Sequence, residues 1–135
     1  MHILKFFLIA LSYSLLIVGF RIEAKTSVHH GGGDGILDPC MSLAQVNNLG
    51  KGPDAFLAVK DEPNLKAKRI DKIFSGQKLW ICEDSKDGNW YGVVYPTTEN
   101  QDCDVNNISI KNRKTYTGPC KSGWVSQKYV TIVAG

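Results

Sequence analysis

From Phe56 onward the apolar residues come in short runs, broken by Gly, Pro and charged turns, and they predict strands rather than helices. Phe56-Leu57-Ala58-Val59 is the first, ended by Lys60-Asp61-Glu62-Pro63-Asn64. A polar loop runs to about Arg69. Ile70 and Ile73 then precede a turn at Ser75-Gly76, and Leu79 to Cys82 is rich in strand formers. Asp87-Gly88 is a favourable tight-turn pair, leading into Trp90-Tyr91-Gly92-Val93-Val94-Tyr95, the strongest strand signal in the chain. Pro96 stops it. Alternation sends Trp90, Gly92 and Val94 to one face and Tyr91, Val93 and Tyr95 to the other. The first set is expected in the core. Gly123-Trp124-Val125 and Tyr129-Val130-Thr131-Ile132 complete the pattern as two short strands.

Two stretches lack this regularity. In Ile36 to Leu49, the apolar residues Met41, Leu43, Ala44, Val46 and Leu49 fit neither a helix nor a strand cleanly. Asn47 to Pro53 reads as a turn or loop. Thr97 to Cys120 reads as an insertion. In it Ile108 and Ile110 alternate with polar residues, and Lys114 to Thr117 is placed to pair back across Asn112-Arg113 as an accessory hairpin. Upstream, Lys25 to Gly35 holds three consecutive glycines, which are costly to order, and reads as a flexible linker.

The start of the chain has another character. Lys5 precedes an apolar run from Phe6 to Phe20, followed by Arg21, Ile22, Glu23 and Ala24. This is the layout of a cleaved signal peptide, and the run is short for a membrane span, which needs about 20 apolar residues. The expected organisation is a signal peptide over 1–24, a flexible linker and N-terminal arm over 25–52, and one domain over 53–135. Removing Lys5, Arg21 and Glu23 from the 16 basic and 13 acidic residues leaves 14 and 12. So mild an excess does not argue for nucleic acid.

All four cysteines lie after the signal. In an exported chain that reads as two disulfides, and the spacings are far too long for zinc-ligand pairs. Three pairings exist, of which we favour Cys103–Cys120 and Cys40–Cys82. The former closes a loop of about 17 residues, worth roughly 3 kcal/mol in the chain-entropy model. The latter ties the N-terminal arm to the domain.

The order of these signals resembles the bacterial SH3-like (SH3b) domain. Leu57, Val59 and Lys60 stand at its first strand, Pro63 in its long early loop, Ile70 and Ile73 before Gly76, and Leu79 and Ile81 in the next strand. Gly88 and Trp90 follow, then Gly123, Trp124 and Val125. The resemblance covers about Phe56 to Ile132. It departs at Glu62, where the family often has Gly, and in the long stretch from Pro96 to Ser122. It implies an all-β fold, a small SH3-like β-barrel, here with an inserted accessory hairpin and two disulfides. The cysteine-bearing form looks like the small stand-alone secreted proteins of that bacterial family.

Chemistry follows from what is left. His29 and His30 sit in the glycine linker, where an imidazole is not held for catalysis, and a single His pair without ordered partners reads as spacer rather than a metal site. The cysteines are consumed as disulfides, and Glu83/Asp84 and Asp102/Asp104 read as solvated loop carboxylates. Asn107-Ile108-Ser109 is a formal glycosylation triplet, read as chance. No catalytic residue, metal or cofactor is expected. Binding is the better class. Trp80, Tyr91 and Tyr95 are candidates for an exposed aromatic platform, and Asp61, Asn64 and Lys66 lie in the early loop that borders the ligand site in SH3-like barrels. Packing beneath the arm or the hairpin is the competing role for the aromatics. The expectation is a secreted or periplasmic monomer that binds cell-wall peptide or glycan, by family analogy. The alternative is a protein-interaction module, an inhibitor or accessory subunit. Neither nucleic acid nor, after signal cleavage, membrane is an expected partner.

Overall fold

The computed structural model describes residues 26–32, 39–105 and 112–135. The signal segment, the glycosylation triplet, and Ile108 and Ile110 of the expected hairpin lie outside them. Nine strands are present among the described residues: β1 (His29–His30), β2 (Ser42–Val46), β3 (Leu57–Lys60), β4 (Arg69–Ile73), β5 (Lys78–Asp84), β6 (Trp90–Tyr95), β7 (Lys114–Thr115), β8 (Lys121–Ser126) and β9 (Val130–Ala134). A single 3-10 turn, Gln127–Tyr129, joins β8 to β9. Seven strands form one sheet in the order β4-β3-β8-β6-β5-β2-β9, and β1 pairs with β7 apart from it. All pairings are antiparallel. The fold is all-β, and the sheet does not close into a barrel: β4 and β9 remain its edges.

The predicted turns form. Gln77 N–H donates to Phe74 O (3.1 Å) around Ser75-Gly76, and Gly88 N–H donates to Ser85 O (3.0 Å) before β6. At Gly88 φ is 72°, a conformation glycine adopts without a Cβ clash. Gly123 serves another purpose. A Cβ there would collide with Val59 Cγ1 and lie 3.2 Å from Lys60 O, so its bare Cα lets β8 cross close over β3.

The sheet is covered on both faces. One cluster joins Ala44 and Val46 of β2, Leu57 and Val59 of β3, Ile73 of β4, Leu79 and Ile81 of β5, Val93 and Tyr95 of β6, and Val125 of β8. Strands far apart in the sheet order share this core, so the sheet is curved around it. The other face carries Trp90, Val94, Cys82 and Trp124 against Val28, Cys40, Cys103, Val105, Tyr116 and Cys120. Trp90 and Val94 are therefore buried as expected, but beneath the arm and the insertion. The face expected to be exposed is the one wrapped by the curved sheet. Five of the six β6 residues are buried. At about 1.5–3 kcal/mol for each large apolar side chain, β6 is the most strongly held strand.

The disulfides are Cys40–Cys82 and Cys103–Cys120, the favoured pairing. The first anchors the arm to β5 and the second staples the insertion. The stretch read as a flexible linker contains β1, and Val28 is buried with His30. Trp124 Nε1–H donates to Thr26 O (2.8 Å) and Tyr116 N–H to Val28 O (2.8 Å). Lys114-Thr115 pairs with His29-His30 of the arm.

Candidate functional site

A groove of about 430 Å³ opens where the loop after β2, strand β3, the β3–β4 loop and the 3-10 turn converge. Leu49, Phe56, Leu57, Leu65, Trp90 and Tyr129 give it apolar walls, and Asp54, Lys60 and Ser126 contribute polar groups. Each comes from a different local device. Lys60, at the end of β3, reaches across the loop and donates from Nζ to Ala67 O (3.1 Å), which fixes the loop tip. Leu65 on that tip is 83% exposed, an apolar side chain held out in water beside an apolar groove. Tyr129 is presented by the 3-10 turn, tied down by Asn47 N–H donating to Tyr129 O (2.8 Å) and Gln127 N–H to Asn89 O (3.0 Å). Trp90 belongs at once to the groove wall and to the cluster beneath the arm.

Cations lie over two of the aromatic walls. The Phe56 ring has Lys72 Nζ at 4.5 Å and Arg69 Cζ at 5.2 Å from its centre, and Tyr129 has Lys128 Nζ at 5.5 Å. Such contacts are worth about 0.5–1 kcal/mol at exposed sites, enough to bias these side chains toward the rings.

None of the six residues singled out from the sequence lines this groove. Trp80 is half-buried against the arm-side cluster. Tyr91 is half-buried against the other core. Tyr95 is 2% exposed, so it cannot form part of a surface platform. Its hydroxyl donates to Asp71 Oδ2 (2.8 Å), and burial, reinforced by that carboxylate, pushes its ionisation well above the ordinary tyrosine range. Burial alone would raise the Asp71 pKa. The Lys72 N–H, the Tyr95 hydroxyl and the Lys121 ammonium at 3.1 Å outweigh it and hold Asp71 below its ordinary value. Asp61 staples its own loop by accepting from Lys68 N–H (3.0 Å). Asn64 and Lys66 are exposed on that loop, on either side of Leu65. This loop meets the groove through its apolar tip, Leu65.

The read-out of Glu83 also changes. It lies in β5 beyond a one-residue register shift that turns Cys82 and Glu83 toward the same face. With its side chain 18% exposed, it accepts from His29 N–H (2.9 Å), and Arg113 Nη2 stands 2.7 Å and His29 Nδ1 3.4 Å away. This carboxylate clamps both the arm and the insertion. Among the described residues no group of three or more His, Cys, Asp and Glu is arranged to hold a metal ion. No protein-family model, curated protein or solved structure matches the chain.

Proposed function

We propose that this protein is a non-catalytic binding module that takes an apolar stretch of a partner polypeptide into the groove. The observation that carries this reading is the convergence of Phe56, Leu65, Trp90 and Tyr129 on one open cleft, with Leu65 solvent-exposed at its rim. Exposed apolar surface rimmed by polar groups suits a protein partner better than a glycan, which needs a denser set of polar groups. A groove of this size accommodates two or three apolar side chains. At about 2 kcal/mol each, less the cost of ordering the ligand, affinity falls near the millimolar range.

The arrangement of β3, the long loop, β4, β5 and β6, with β8 returning beside β6 and β3, supports an SH3-like ancestry in which the barrel has opened and gained a second layer. Two disulfides fit an oxidising extracellular compartment. No helix among the described residues is long and apolar enough to cross a membrane. With the signal-like start, the disulfides support a secreted or periplasmic protein. A cell-wall stem peptide is the second reading, favoured by Asp54 and Lys60, which offer the groove one charge of each sign.

Titration of the isotope-labelled protein by NMR separates these. Leucine- and phenylalanine-bearing peptides are expected to shift the amides of Ala55, Phe56, Ser126 and Tyr129, and Tyr129→Ala to abolish the response. Soluble stem peptides giving the stronger response at those amides would establish the wall reading. Shifts gathered around Trp80 with none in the groove would overturn both.

A further inference from the structure

The groove carries an electrostatic signature that its apolar lining does not explain. Arg69 and Lys72, both exposed, converge on the Phe56 ring from β4, and Lys128 covers Tyr129 on the 3-10 turn. Two neighbouring acids are engaged elsewhere. Asp71 is taken by Tyr95 and Lys121, and Asp61 by the Lys68 amide. Lys60, in the lining itself, donates to neutral carbonyls. The lining itself holds one charge of each sign, Lys60 and Asp54, and Arg69, Lys72 and Lys128 stand beside it over the rings of Phe56 and Tyr129. Two like charges over one ring repel each other, and an anion bound between them would relieve that repulsion.

We propose that the groove selects an acidic peptide: an apolar or aromatic side chain seated between Phe56 and Tyr129, flanked by Asp or Glu residues that meet Arg69, Lys72 and Lys128. This rests on the polypeptide-binding reading above and adds the charge of the ligand. The apolar walls supply contact area, and the rim cations supply orientation and on-rate, because exposed charge pairs steer encounter more than they tighten it. The bare polyanion is the competing ligand. It would use the cations and leave Leu65 and Phe56 without a role.

The experiment uses the mature chain and three blocked octapeptides that alternate Leu and Phe with Glu, Gln or Lys, followed by NMR or calorimetry. The Glu peptide is expected to bind roughly ten-fold tighter than the Lys peptide at low salt, from a few exposed pairs. Raising salt to about 0.5 M should collapse the difference, because screening then acts within a few Å. Arg69→Gln/Lys72→Gln is expected to reduce the preference to about two-fold while Gln-peptide binding persists. Equal affinity for all three peptides would overturn the charge selection and leave the groove reading standing. Failure of all three to bind would remove the groove reading and this inference with it. Heparin binding as tightly as the Glu peptide, insensitive to Phe56→Ala, would replace the peptide with a polyanion.

Discussion

His30 is the residue at which burial and chemistry conflict most directly. Only 6% of it is exposed, its ring meets Tyr116 edge-on at 5.3 Å, and its Nδ1 has no hydrogen-bond partner. Burial, then Lys114 and His29, lower its pKa from the ordinary 6.5. Among the described residues, Tyr116, Arg113 and Glu83 also stand around the arm, and of these three Glu83 favours a positive charge there. A basic group whose folded pKa is depressed takes up its proton first in the unfolded chain. Stability is therefore complete above 6.5 and declines as pH falls below it. Asp71, held below the carboxylate range, acts in the same direction only at more acid pH. Denaturation midpoints between about pH 7 and 5.5 thus separate the histidine region from Asp71. The native chain should weaken across that interval. His30→Phe, which keeps the contact with Tyr116, should flatten the dependence, and an unchanged slope would show that His30 is not its source.

At the scale of elements, the arm and the insertion form one outer layer held by a few polar contacts as well as by the disulfides. Glu83 supplies three of those contacts. A hydrogen bond to a charged group contributes about 1.5–3 kcal/mol, so Glu83→Ala should speed amide exchange at His29 and Tyr116 by about ten-fold or more. Amides of β6 and β8, in the inner sheet, should be unaffected. The sequence showed β3, β5, β6, β8 and β9 because each has a local signature: β-branched or aromatic residues between turns. It hid β2, whose Ser42-Leu43-Ala44-Gln45-Val46 has one β-branched residue and no aromatic to stand out, although Ala44 and Val46 are fully buried. It hid β1 as well, since two histidines beside glycines become a strand only when Lys114-Thr115 arrives to pair with them. Alternation along β6 correctly separated Trp90 and Val94 from Tyr91 and Tyr95, but a period of two cannot say which face is interior, and here both are covered. The groove was illegible for a related reason. Leu49, Phe56, Leu65, Trp90 and Tyr129 share no motif and meet only through the curvature of the sheet.

For the molecule as a whole, the two cross-links should not contribute equally. Cys103–Cys120 spans 17 residues and Cys40–Cys82 spans 42. The chain-entropy relation gives about 3 kcal/mol for the shorter loop and about 4 kcal/mol for the longer. Denaturant titration of the paired Cys→Ser variants should show the greater loss for Cys40/Cys82, and the reverse order would mean that the outer layer, not loop length, governs the difference. The bond from Trp124 to Thr26 joins residues 98 apart in sequence. Likewise β2 lies between β5 and β9, so one of its two neighbours is the last strand to be made. A chain emerging from its N-terminus therefore cannot complete either layer until β8 and β9 have been made. Contacts of such long range fold slowly. Thr26 and Val28 stay without their partners until Tyr116 and Trp124 have been made, and one edge of β2 stays open until β9 follows.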